Sequence, residues 1–170
     1  HIDIKKLGRF NQIGHRITGD RRGQSNSRGV GWEYVHVAID DHSRIAFAKI
    51  MPTEKKRSAT TFLKAAIAYY EGLGIKVERV MTDNGSCYKS FAFRTKPYTP
   101  KTNGKAERFI QTSLREWAYA QAYQTSTERR AELPSWLHRY NWHRPHAGIG
   151  DKVPISRLGL PEDNVLRLHI

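Results

Sequence analysis

Residues 1–7 alternate in part between apolar and polar side chains, which predicts a strand. Residues 32–39 (WEYVHVAI) are rich in β-branched and aromatic residues and predict a second. Asp40-Asp41-His42-Ser43 carries turn residues, and residues 44–50 return as a third strand. The intervening residues 9–31 are polar, basic and rich in Gly, Ser and Asn, so a long mobile loop or protruding hairpin is expected there. The period then changes. After Ser58, a candidate N-cap, Ala59, Phe62, Leu63, Ala66, Ile67 and Tyr70 recur at helical spacing, and Gly72 and Gly74 end the run. Residues 77–81 predict another strand, and residues 96–98 a weak one. Asn103 is placed to cap a second helix whose apolar stripe is Ala106, Phe109, Ile110, Leu114, Trp117 and Ala118. A third helix is expected over residues 127–143, kinked or broken at Pro134. Three meandering strands, a crossover helix and a strand parallel to the first give an α/β fold: a mixed sheet with helices on its faces.

Composition narrows the partners. The chain has 170 residues, 38% of them hydrophobic, which suits one domain with its own core. No apolar run approaches a membrane span, so no membrane partner is expected. There is no initiating Met and no signal-peptide pattern, so the stretch reads as part of a longer protein. Cys87 is the single cysteine, which excludes an internal disulfide and fits a reducing cytoplasm. Lys and Arg number 29 against 16 Asp and Glu, a formal charge of +13 spread along the chain rather than gathered in a tail. A domain this basic attracts polyanions, and nucleic acid is the expected partner.

Three carboxylates fall where such an architecture places a site. Asp3 lies on the first strand, Asp83 ends the strand after the crossover, and Glu107 lies in the first turns of a helix. Parallel pairing of the Asp3 and Asp83 strands would bring two of them together, and the helix could bring the third. Converging carboxylates repel one another unless a divalent cation joins them, and Mg²⁺ or Mn²⁺ prefers such hard oxygen ligands. Each acid alone has a plainer reading: solvation at a chain end, an Asx turn with Asn84-Gly85, or a favourable helix N-terminus. Asp40 and Asp41 read as turn residues. The histidines His36, His42, His138, His143 and His146 show no zinc-ligand spacing, and Cys87 reads as a small packed residue.

The stretches Ile2-Asp3-Ile4, Thr82-Asp83-Asn84-Gly85-Ser86 and Thr102-Asn103-Gly104-Lys105-Ala106-Glu107-Arg108-Phe109 resemble the three acidic motifs of insertion-sequence DDE transposases, which share the retroviral integrase catalytic core. Tyr140-Asn141-Trp142-His143-Arg144-Pro145-His146, followed by Pro154, is similar to the C-terminal hallmark of that group. The resemblance covers nearly the whole chain, with four motifs in order. It implies a ribonuclease-H-like mixed sheet of about five strands with helices on both faces, a catalytic core over residues 1–150 and a C-terminal extension of it over 151–170. It implies two Mg²⁺ (or Mn²⁺) ions held by Asp3, Asp83 and Glu107 as metal ligands and catalytic residues when DNA is bound. Water activated by metal would free a 3′-hydroxyl at the element's end, and that hydroxyl would attack target DNA. It further implies helix-turn-helix DNA-binding segments preceding this stretch, a homo-multimer acting on paired DNA ends, and a bacterial cytoplasmic location at the nucleoid.

Two departures from the group stand out. Relatives usually separate the second and third acids by about 35 residues, a spacing tied to two-metal geometry. Here residues 84–106 intervene, 23 in all, and the shortening falls between Phe91-Ala92-Phe93 and Lys96-Pro97-Tyr98. A loop missing from this sequence is the preferred explanation, and loss of part of the fold, with activity, is the other. Second, the basic residue relatives often place seven positions after the third acid is Leu114 here, and Arg115 follows it. Arg108 and Arg115 share a helical stripe with Gln111 and Thr112 near it; with Lys105 and Asn103 they are the expected DNA contacts, against the alternative of a solvated helix face. Two other functions remain open: a nuclease of the same fold that only hydrolyses DNA, and a catalytically inactive DNA-binding domain.

Overall fold

The computed structural model describes residues 1–14, 19, 29–83, 85–88 and 103–159. Strands β1 (Ile2–Gly8), β2 (Trp32–Ile39) and β3 (Ala46–Met51) form an antiparallel meander in the order β1-β2-β3. The register sets Asp3 opposite Val37, and Val37 opposite Ala48. β3 starts two residues later than its pattern suggested, because Arg44 adopts a left-handed conformation (φ 68°) inside the turn. Asp40 organises that turn by accepting from the Ser43 amide and hydroxyl, both at 2.7 Å.

Because side chains alternate across a strand, the sheet has two faces with separate cores. One carries Ile2, Ala38 and Met51 and packs on helix α1 (Lys56–Gly72) through Ala59, Phe62, Ala66 and Tyr70. The other carries Leu7, Val35, Val37, Ile39, Ala46 and Ala48. It packs on α2 (Gly104–Ser113) and α3 (Ser126–Trp142) through Phe109, Trp136 and Tyr140, and on Trp117 in the turn between them. Helices thus cover both faces.

The helix ends correct several expectations. α1 starts at Lys56, ahead of Ser58, and its N-cap Lys55 makes no side-chain cap. Ser58 lies inside the helix and shares a 2.9 Å hydroxyl bond with Thr53. At the other end Gly74 (φ 77°) closes a Schellman motif, with Gly74 N–H donating to Glu71 O and Ile75 N–H to Tyr70 O, both at 2.9 Å. Residues 77–81 form no ladder. One bond, Ile2 N–H to Met81 O at 2.8 Å, lays that segment beside β1, so the described sheet has three strands rather than about five. Residues 96–98, and the shortened interval around them, lie outside the described residues.

α2 passes into a π-helical turn at Leu114–Ala118, marked by Tyr119 N–H donating to Leu114 O at 2.9 Å. Thr112 and Ser113 hydroxyls donate back to the Arg108 and Ile110 carbonyls just before it, which loosens the α-ladder there. α3 is capped by Thr125, which accepts from Glu128 N–H, while the Glu128 carboxylate takes the Gln124 N–H at 2.8 Å. It runs through Pro134 as one element, contrary to the expected break. Pro134 is exposed, so the carbonyl deprived of its helical partner need not be buried.

Asn141 ties the end of α3 to the sheet. Its amide accepts from Ala46 N–H and donates to Ala46 O, each at 2.8 Å, as a neighbouring strand would. Arg144 clasps Glu116 in the π turn with three bonds of 2.8–3.0 Å. The final described turn, Pro154–Leu158, seats Ile155 in the α1-side core. A charged contact crosses the base of the other core. Glu33 and Arg129, each with a side chain 1% exposed, pair at 2.8 Å, and half-exposed Arg130 meets the same carboxylate at 3.0 Å.

Candidate active site

Three elements converge at the start of β1. Asp3 points from β1 toward α2, on the face opposite α1. Asn103 fixes α2 against that strand: its buried amide donates to Ile2 O at 3.2 Å, and its carbonyl oxygen lies 3.3 Å from His1 Nδ1. This long-range bond replaces the expected side-chain cap of α2, which is absent. Asn103 is 2% exposed, so the structure gives it a positioning task instead of a phosphate-facing surface. Glu107 follows one turn later, with its N–H on Asn103 O at 3.2 Å. Asp83 stands two residues beyond Met81, the residue whose carbonyl receives the Ile2 N–H. Its Oδ1 accepts from Gly85 N–H at 3.0 Å, the Asx-turn geometry weighed for it from sequence. A Cβ at Gly85 would lie 3.0 Å from that same oxygen, so any larger residue would push the carboxylate aside.

The other two acids bear on Asp3. The Asp3 carboxyl is pushed above its ordinary value of 3.8, first by burial and then by the negative charges of Asp83 and Glu107, while the Ile4 amide and Lys5 oppose the shift. Ile4 N–H donates to Asp3 Oδ1 at 2.7 Å. Tyr88 is packed beneath, 5% exposed, and its hydroxyl is held protonated by burial and by the nearby Cys87, Asp3 and Asp83. Cys87 is half-buried in the same corner, its thiol pushed up by burial and by Asp83. Among the described residues, no three of His, Cys, Asp and Glu are gathered closely enough to hold a metal ion as they stand. The donor chemistry suits a hard divalent cation, since all three groups are carboxylates and one is desolvated.

A stability prediction follows from the sign of the Asp3 shift. A carboxyl raised in the folded state makes its charged form the costly one, so stability falls as pH rises from below 3.8 through the raised value. In metal-free buffer at pH 7, Asp3→Asn should therefore unfold at a higher temperature than the parent, and at pH 3 the gain should vanish. Equal midpoints at pH 7 would mean that Asp3 carries no such strain.

The expected DNA-contact residues divide. Arg108, Gln111 and Arg115 are exposed on α2 and the start of the π turn, and Glu107 is exposed beside them. Thr112 is 5% exposed and bonded to its own helix. Lys105 forms an ion pair with Asp41, a carboxylate that also meets Arg44 at 3.1 Å and His1 at 3.4 Å. Lys105 thereby links α2 to the β2–β3 turn. Three other features escaped the sequence reading. Tyr88 under the acids left no local signal. Asn141 sat in a quoted motif with no role attached. Glu33 and Arg129 did leave one: each is a charge on an otherwise apolar stripe, Glu33 with Val35 and Val37, Arg129 with Leu133, Trp136 and Tyr140.

Comparison with known proteins agrees with this architecture. The Integrase core domain family matches residues 91–154. The protein named "Putative integrase ORF3" of Spiroplasma virus SpV1-C74 is 24% identical over 150 residues, 74% of this chain and 41% of that protein. The chain thus spans well under half the length of this curated relative. A chain in the cryo-electron microscopy structure of the simian T-cell lymphotropic virus intasome in complex with PP2A regulatory subunit B56 gamma superposes with a TM-score of 0.64 at 20% identity, over 94% of this chain and 53% of that chain. The catalytic core domain of BIV integrase superposes with a TM-score of 0.55 at 21% identity, over 80% of this chain and 90% of that domain. The fold is that of integrase catalytic cores, the ribonuclease-H-like class. No helix among the described residues is long and apolar enough to cross a membrane.

Proposed function

We propose that this chain, an integrase-type core in its sequence match and its fold, is the catalytic core of a DNA transposase that cleaves 3′ ends and joins them to target DNA. The observation that supports this reading is the placement of three acids from separate elements around the start of β1: Asp3 on β1, Glu107 one turn after Asn103, whose amide bonds Ile2 O, and Asp83 two residues after Met81, whose carbonyl receives the Ile2 N–H. They would hold Mg²⁺ or Mn²⁺, two ions when DNA is bound. Such ions supply an activated attacking oxygen and stabilise the leaving one. The chain's own residues do the rest. β1 holds Asp3 on a rigid strand, Asn103 fixes the helix that carries Glu107, and the Asx turn at Gly85 orients Asp83. Arg108, Gln111 and Arg115 face solvent beside Glu107 and would contact phosphates, with Lys105 joining them only if it leaves Asp41. A homo-multimer on paired DNA ends, a core ending near residue 150 with residues 151–170 as its extension, and a cytoplasmic, nucleoid-associated location complete the proposal.

The test is a strand-transfer assay with a pre-cleaved duplex end, Mg²⁺ and target DNA, in which a joined product is expected. Cleavage without joining would favour a hydrolysis-only nuclease. Neither product would favour an inactive DNA-binding domain, a reading that the interval of 23 residues between Asp83 and Glu107 supports. DNA affinity should also fall steeply with salt, because phosphate contacts release counterions. The two cationic contacts, Arg108 and Arg115, give a loss of roughly 12-fold between about 50 and 200 mM salt. A flat response would count against the basic surface.

A further inference from the structure

Lys6, Trp32 and Tyr34 form an exposed aromatic and cationic cluster that neither the core nor the acidic site uses. The register puts Lys6 opposite Tyr34 and Gly8 opposite Trp32, so all lie on the α1-side face, beyond the part that packs on α1. The Lys6 ammonium stands 4.7 Å from the Trp32 ring centre and 5.6 Å from that of Tyr34. Trp32 is nevertheless 50% exposed. Gly8 offers no side chain to cover it, and a Cβ there would meet nothing within 4 Å. The connection that enters Trp32, residues 9–31, carries five arginines against one aspartate in its sequence.

A half-exposed indole in a chain of charge +13, with an ammonium beside it, has the two elements of a single-strand site: a ring for a base to stack on and a cation for its phosphate. A duplex offers only phosphates here, because its bases are already stacked. Lys6 is three residues from Asp3 on the same strand, about 10 Å at 3.3 Å per residue, with its side chain on the other face of the sheet. We infer that Trp32, with Lys6 and Tyr34, binds an unpaired nucleotide of DNA, on the face of the sheet opposite Asp3. The inference rests on the proposed DNA-processing function and adds a preference for unpaired bases.

Fluorescence anisotropy in metal-free buffer tests it, with labelled oligothymidylate of about 15 nucleotides and a blunt duplex of equal length as probes. Trp32→Ala should weaken single-strand binding by roughly 5- to 150-fold, the range for loss of one stacking ring, and change duplex binding by less than about 2-fold. Trp32→Phe should restore most of the loss. The simpler alternative is that Lys6 and Trp32 only clip the hairpin end together. In that case Trp32→Ala would lower the melting temperature and leave both affinities unchanged, which overturns the inference. Equal losses on both probes would overturn it too. Duplex binding by the parent without single-strand binding removes this site and spares the transposase reading. Binding to neither probe removes both.

Discussion

Asp83→Asn should reduce Mg²⁺-dependent DNA cleavage by at least about 10³-fold, roughly 4 kcal/mol of transition-state stabilisation at 1.36 kcal/mol per decade. Losing a partner that only supports a metal ligand typically costs 10- to 100-fold, so a larger loss separates a ligand from a support. The substitution is close to isosteric. Its side-chain oxygen can still accept the Gly85 N–H that Asp83 Oδ1 accepts at 3.0 Å, so the turn should survive. What disappears is a negative charge that now bears on Asp3. DNA affinity without metal should therefore hold or improve slightly, because one repulsion toward phosphate is gone. Cleavage at the parent rate would remove Asp83 from the mechanism. Weaker binding in step with weaker cleavage would instead assign it to DNA recognition.

Glu33→Ala should lower unfolding free energy by about 3–5 kcal/mol, read from urea denaturation followed by Trp fluorescence. Glu33 and Arg129 are both almost fully buried, and the guanidinium of Arg129 also donates to Gly8 O at 2.8 Å. Removing Glu33 leaves a buried cation with only part of its hydrogen bonding, and that desolvation cost, more than the lost attraction, sets the size of the effect. The loss is large against a typical total of about 5–15 kcal/mol. Arg130→Ala should cost far less, about 1 kcal/mol or below, since its side chain is 51% exposed. Glu33→Leu with Arg129→Met should recover much of the stability, because two apolar side chains of similar size leave no charge unpaired. A loss under about 1 kcal/mol for Glu33→Ala would mean that water reaches the pair.

Much of the fold was legible because it rests on local periodicity. WEYVHVAI became β2 with its stated ends, and Ala106, Phe109, Ile110, Trp117 and Ala118 all proved buried on one stripe. What was not legible depends on partners far along the chain. Asn103 has the residue type of a cap, yet its amide is taken by Ile2 O, 101 residues away. Lys105 pairs with Asp41, 64 residues away, a contact that its local sequence does not signal. Residues 77–81 have strand character, but the described backbone gives them a single bond to β1. The charges that bear on Asp3 come from Asp83 and Glu107, 80 and 104 residues away, so its raised carboxyl leaves no local signal.

The Asn141 clamp has a consequence for behaviour at high concentration. β3 is the outer strand of the described sheet, and the rungs that do not face β2 begin at Ala46. A bare rim of amides and carbonyls is a template onto which another chain can zip. The carboxamide of Asn141 plugs the first rung with a group that has no backbone to continue, so it ends the row instead of extending it. One side chain thereby occupies the rung at which such pairing would begin.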